Sequence, residues 1–256
     1  EVALLRRLVA NVHGFRVLET RLARHVKVPI VILLRETSAG ISVEVDVSIG
    51  TSFEEVDKAY TDSLIRSAVG ACPCALHMVR AVKLWAKAEQ LNKAYHGFLN
   101  SLGWTLLVIC FYMQRQELNA TFFQDTSPDK PWNSSEDASA FPSPLTEHKL
   151  GAPTDEAQAQ VPSADDMVDF FQWVIDTWDN WPEGSEELTH ALSLVDAAYI
   201  EIPAPPKVYA DQTKLFIEDP GIRLCKGTFE NVARAVRAPS WQATLDGCHS
   251  AISLLS

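Results

Sequence analysis

Residues 76–114, LHMVRAVKLWAKAEQLNKAYHGFLNSLGWTLLVICFYMQ, break into two helices joined by a short loop. The first carries Lys83 and Lys87 one turn apart, with Val79, Val82, Trp85 and Ala86 on its buried side. The second is apolar from Leu102 to Met113. Residues four apart share a helix face, so the two ammonium groups can converge on one anion, and a triphosphate suits them. The same spacing also fits an ordinary solvated face, on which like charges repel slightly. Spacing alone leaves both readings open.

The whole chain allows one large core or two smaller ones. Its 256 residues are 47% apolar and 21% charged, ordinary values for a globular protein, and two domains are expected. The apolar run at residues 102–113 is too short to cross a bilayer and continues into Gln114, Arg115 and Gln116, so no membrane partner is expected. Five cysteines, Cys72, Cys74, Cys110, Cys225 and Cys248, are odd in number and scattered. That usage fits a reducing, intracellular compartment better than a disulfide framework, and Cys72-Pro-Cys74 lacks zinc-ligand spacing. The start lacks Met and has no signal-peptide layout, which leads us to expect missing sequence upstream.

The net charge of -11 is concentrated in one region. Residues 120–190 hold 15 of the 33 acids and two of the 22 bases, a net of -13, which leaves +2 on the rest. A groove for nucleic acid therefore stays open despite the acidic total.

Along the chain, residues 1–12 show a helical period ending near Gly14. Residues 15–23 are mixed, with Arg16, Arg21, Arg24 and Lys27 gathered before Val28-Pro29. The run Ile30 to Leu34 reads as a buried strand. Residues 41–49 alternate strictly, with Ile41, Val43, Val45, Val47 and Ile49 on one face and Ser42, Glu44, Asp46 and Ser48 on the other. The two make a hairpin. Its second strand is either a half-wet strand or a rigid mount for Asp46 as a metal ligand. Residues 53–69 read as an amphipathic helix or helix pair, broken at residues 70–73. Between residues 119 and 165 the composition turns to Ser, Pro, Asp, Glu and Gln, a long loop or insertion. Helical periodicity returns with Met167, Phe170, Phe171, Val174 and Trp178, a core stripe. A strand at residues 197–202 and a helix beginning at residues 229–237 complete the expectation. The chain has no Rossmann, P-loop, nucleophile-elbow or zincin signature.

Four sets of residues, in this order, resemble the terminal uridylyltransferase and non-canonical poly(A) polymerase family of DNA polymerase β-like nucleotidyltransferases. They are Val28-Pro-Ile-Val31 with Val43-Glu-Val-Asp-Val-Ser48, Val82-Lys-Leu-Trp-Ala-Lys87, Gly97-Phe-Leu-Asn-Ser101 before the apolar helix, and Ile217-Glu-Asp-Pro220 with Asn231-Val-Ala-Arg234. The short motifs and the insertion look most like the trypanosomal mitochondrial uridylyltransferases of RNA editing. The resemblance implies an α+β architecture: a palm sheet whose C-terminal part is residues 1–52, and a mainly helical nucleotide-recognition domain at residues 53–119 and 165–256. Residues 120–164 form an acidic insertion able to dock a protein partner.

It also implies template-independent transfer of UMP from UTP to an RNA 3′ end, dependent on two Mg²⁺ or Mn²⁺ ions. Asp46 would be one of three metal-binding carboxylates and the catalytic one present here, the other two being expected upstream of Glu1. Lys83 and Lys87 would hold the β- and γ-phosphates, Ser101 would add a hydroxyl donor, and Glu218 would sit near the base edge. Thr61 or Asp62 stands where relatives carry an Asn that contacts ribose and uracil. Leu102 stands where they carry a stacking Tyr, which leaves stacking to Trp104 or another aromatic. Arg21 and Arg24 are candidates for RNA or triphosphate contact, though solvated charge on an exposed strand explains them equally. Adenylyl transfer on the same scaffold, or an inactive homologue serving as an RNA or protein scaffold, are the alternatives. The resemblance favours the mitochondrion, with the cytoplasm as the other compartment.

Overall fold

The apolar run after Pro29 becomes the middle of a sheet. The computed structural model describes residues 16–21, 30–36, 40, 42–48, 53–125, 161–179, 190–201 and 215–256. They fall into two compact units, Glu1–Val56 and Asp57–Ser256. In the first, strands β1 (Arg16–Arg21), β2 (Ile30–Glu36) and β3 (Ser42–Ser48) form an antiparallel sheet in that order. Val31, Ile32, Leu33 and Leu34 are all buried, so the central strand is covered on both faces, which is why it reads as a continuous apolar run. The β2–β3 register places Asp46 opposite Ile32 and Glu44 opposite Leu34. β1 lies where the sequence shows only a mixed pattern, because it pairs along one edge, exposes Arg16 and Val17, and shifts register between Val17 and Glu19. The helix expected at residues 1–12, and Arg24, lie outside the described residues.

The second unit is helical around one core. Helix α1 (Phe53–Ala71) is interrupted only at Cys72 before α2 (Pro73–Ala88) starts, its first position taken by Pro73, where a missing N–H is harmless. α2 buries Ala75, Met78, Val79, Val82 and Ala86, a helical stripe. A left-handed Gln90 (φ 60°) ends it, and a 3₁₀ turn (Ala94–His96) leads to α3 (Ser101–Gln114). α3 is the axis of this unit: every residue from Gly103 to Met113 is buried, so it is apolar all round rather than on one face. Asn100 caps it by accepting from the Gly103 N–H at 2.7 Å.

Short α4 (Phe122–Asp125) places Phe123 fully in the core. α5 (Ala164–Asp179) adds Phe170 and Phe171, and the rings of Phe111 and Phe170 lie 5.5 Å apart, those of Trp85 and Phe171 4.5 Å. A hairpin of β4 (His190–Ser193) and β5 (Ala198–Glu201) follows, then α6 (Pro220–Lys226) and α7 (Ala238–Leu255), which packs on α5. β4 was not foreseen, and residues 231–235 form a bridge and turns where a helix was expected. Asn231 is the reason. Its side chain accepts from the Ile217 and Ala233 N–H groups and donates to the Leu215 carbonyl, holding the segment as a clamp. Among the described residues no helix is long and apolar enough to cross a membrane.

Candidate functional site

Lys83 and Lys87 lie on the exposed face of α2, opposite its buried stripe. Neither makes an ion pair among the described residues, so two like charges one turn apart stand uncompensated. Ser101 is exposed in the first turn of α3, which packs against α2, and Leu102 beside it is half-buried. Trp104, proposed above as a stacking aromatic, is instead fully buried, with its ring N–H donating to the Leu91 carbonyl at 3.3 Å. It is core. Its setting in a run that is apolar on every side is the sequence signal for that burial.

A second group assembles around residues 217–223. The Glu218 N–H donates to the Leu192 carbonyl of β4, the Asp219 N–H donates to the Glu230 carbonyl, and isolated bridges join Leu192 to Ile217 and Glu218 to Asn231. The segment is stitched on both sides, which forces its carboxylates inward. Asp219 caps α6, accepting from the Gly221 and Ile222 N–H groups, and receives the Thr61 hydroxyl at 2.5 Å. The Asp-Pro pair is the local signal for that cap. Thr61 is therefore buried and tied to α6, whereas Asp62 beside it is exposed.

Glu218 is completely buried. One of its oxygens meets the Ser193 hydroxyl, and the other lies 3.1 Å from Arg223 Nε, an ion-pair distance without hydrogen-bond alignment. Neither oxygen is open to a base edge in this arrangement. The group at the surface is Arg223, whose guanidinium lies 4.3 Å over the Phe229 ring and donates to the Gly227 carbonyl. Ser193 also approaches Asp196 at 2.9 Å and accepts from the Asp196 N–H. A hydroxyl has one proton and cannot donate to two carboxylates at once, so the arrangement is satisfied when one of them is protonated. Burial pushes the Glu218 carboxyl up to about 7, against the Ser193 hydrogen bond and the Arg223 charge. Burial also raises Asp219, against the bonds from Thr61, Ile222 and Gly221. Ser193, Asp196 and Arg223 carry no sequence signal, because their meeting depends on pairing between segments distant along the chain.

Arg21 and Asp46 stand on β1 and β3, with their backbones in the sheet register already given. No group of three His, Cys, Asp or Glu that could hold a metal occurs among the described residues, so these residues do not by themselves complete a metal site. Burial raises the Cys72 thiol and pushes Cys110 and Cys248 up to about 12, which keeps all three as packing groups rather than thiolates.

No family profile and no curated protein matches this sequence. Solved structures do match. The Cid1 poly(U) polymerase is 20% identical, with a TM-score of 0.60 over 99% of this chain and 72% of that one, and it is also known with MgGTP bound. A cytoplasmic RNA terminal U-transferase is 19% identical, with a TM-score of 0.55 over 99% of this chain and 71% of its own. RNA editing TUTase 1 from Trypanosoma brucei, in complex with UTP, is 14% identical, with a TM-score of 0.54 over 98% of this chain and 56% of its own. At these identities the likeness carries the fold, and the chain has the polymerase β-like nucleotidyltransferase fold expected above, of α+β class.

Proposed function

We propose that this protein is an RNA nucleotidyltransferase that adds UMP from UTP to RNA 3′ ends without a template. The observation that carries the reading is the uncompensated pair Lys83 and Lys87 on α2, set in a fold whose solved members include U-transferases. In the reaction the RNA 3′-hydroxyl attacks the α-phosphorus of UTP, the bond between the α-phosphorus and its bridging oxygen breaks, and pyrophosphate leaves. Negative charge shifts onto the leaving group, and two ammonium groups directed at the β- and γ-phosphates stabilise it more in the transition state than before it. Ser101, exposed beside them in the chain order, can donate one more hydrogen bond. Thr61 acts through Asp219 to seat α6, and Glu218 acts through Arg223, so both are positioning residues in this reading.

The reading includes dependence on Mg²⁺ or Mn²⁺, with Asp46 as a ligand position, and contact of Arg21 and Arg24 with RNA or triphosphate. It takes residues 1–52 as palm, residues 53–119 and 165–256 as nucleotide-recognition domain, and residues 120–164 as an acidic insertion docking a protein. A reducing compartment, the mitochondrion ahead of the cytoplasm, completes it.

The test is a thermal-shift comparison of UTP, ATP, CTP and GTP in the presence of Mg²⁺. A ligand at a hundredfold excess over its Kd stabilises the folded state by about 2.7 kcal/mol, so preference appears directly. A shift confined to UTP is the expected result. A larger shift with ATP moves the assignment to adenylyl transfer, and no shift with any nucleotide ends the enzyme reading in favour of a scaffold.

A further inference from the structure

The exposed face of α2 holds more than two lysines. With about 100° of turn per residue, Arg80 and Lys87 lie within about 20° of each other and Lys83 within about 60° of Arg80. Arg80, Lys83 and Lys87 are all exposed, and Leu84, 69% exposed, lies on the same side. The helix contains no Asp or Glu from Pro73 to Ala88. None of the three cations makes an ion pair among the described residues. In a chain of net charge -11 with 33 acids available, this helix carries three cations on one side and no acid among them, a face suited to an external anion.

The form of the row says which anion. Arg80 stands about 10 Å along the axis from Lys87, with Lys83 between them, so the charge is spread along a line rather than focused at a point. A guanidinium forks onto two oxygens of one phosphate, whereas an ammonium acts as a point charge. Leu84 places apolar surface along one side of the row, where a ribose or base face can pack while phosphates take the charges. A linear polyanion with apolar groups to the side of its charges matches that arrangement.

We propose that Arg80 binds a phosphodiester of the RNA strand, next to the lysine pair that holds the triphosphate, with Leu84 against the sugar or base. The inference rests on the reading of the chain as an RNA nucleotidyltransferase and assigns its RNA side. It is tested on the full chain with a fluorescein-labelled oligouridylate, by anisotropy across a salt series, alongside the UTP thermal shift. Arg80→Ala is expected to weaken RNA binding roughly tenfold, the worth of one charge-assisted hydrogen bond. It also lowers the slope of log affinity against log salt by about 0.7, one phosphate contact on a single strand, and leaves the UTP shift unchanged. Arg80→Lys keeps the salt slope, and Arg80→Glu weakens RNA further. An unchanged slope in Arg80→Ala overturns the inference, as does a loss confined to UTP, which would assign Arg80 to the triphosphate. Wild-type protein that binds UTP but not the oligouridylate also overturns it while leaving the nucleotide site standing; protein that binds neither ends both readings.

Discussion

One hydroxyl proton on Ser193 stands between the carboxylates of Asp196 and Glu218, and that count sets a pH dependence. The charged groups acting on Glu218 are Asp196 beside β4, Asp219 next to it and Arg223 from α6. The folded carboxyl is held up to about 7, above its ordinary 4.5, so the folded state binds more protons than the unfolded one between those values. Stability from this group is fully present below about 4.5 and is lost as pH rises through about 7. On the order of 3 kcal/mol is the upper limit of that loss. Glu218→Gln reproduces the protonated form, donating to Ser193 and accepting beside Arg223. Urea unfolding from pH 4 to 8 should therefore show a falling limb in the wild type and a flatter one in Glu218→Gln, with Asp219 supplying the slope that remains. A wild-type profile that rises through this range would rule out a protonated Glu218.

Between elements, the seam of α1 and α6 is where sequence legibility runs out. Asp219-Pro220 is a helix-start signal, α2 and α5 follow from their periodicity, and α3 follows from its unbroken apolar run. Gly221 looks like an ordinary turn glycine. In the structure a Cβ there would come within 2.7 Å of the Thr61 backbone N and 2.9 Å of its Cα, so only glycine lets α6 approach α1. That requirement is a tertiary one, like the Asn231 clamp and β4, and no local pattern encodes it. Gly221→Ala should destabilise by about 1–3 kcal/mol through overpacking against backbone. Gly70→Ala, in α1 with nothing within 4 Å of the added carbon, should stabilise by about 0.4–1 kcal/mol. Opposite signs in one denaturation series are the expected outcome, and a Gly221→Ala variant as stable as the wild type would mean that the seam is not tight. A third variant, Thr61→Val, leaves Asp219 without its buried hydroxyl donor and should cost about 1–3 kcal/mol.

At the scale of the whole molecule the proposed roles are of two kinds, a metal-ligand position at Asp46 and a phosphate-holding pair at Lys83 and Lys87. The two contributions should therefore fail in different ways. Asp46 lies in β3 opposite Ile32, and the ladder there is made by backbone groups along seven paired positions, so its side chain is not needed for the pairing. Asp46→Ala should fold normally, keep oligouridylate affinity within about twofold, since removing a carboxylate removes no phosphate contact, and lose turnover. Lys83→Ala and Lys87→Ala should instead reduce the UTP thermal shift first, because they act on the triphosphate before any bond is made. The decisive comparison is single-turnover extension of a labelled RNA at saturating UTP. Saturation rescues part of a binding defect, so the lysine variants recover some product while Asp46→Ala does not. Product from Asp46→Ala at the wild-type rate would remove Asp46 from the chemistry and leave β3 as a structural strand.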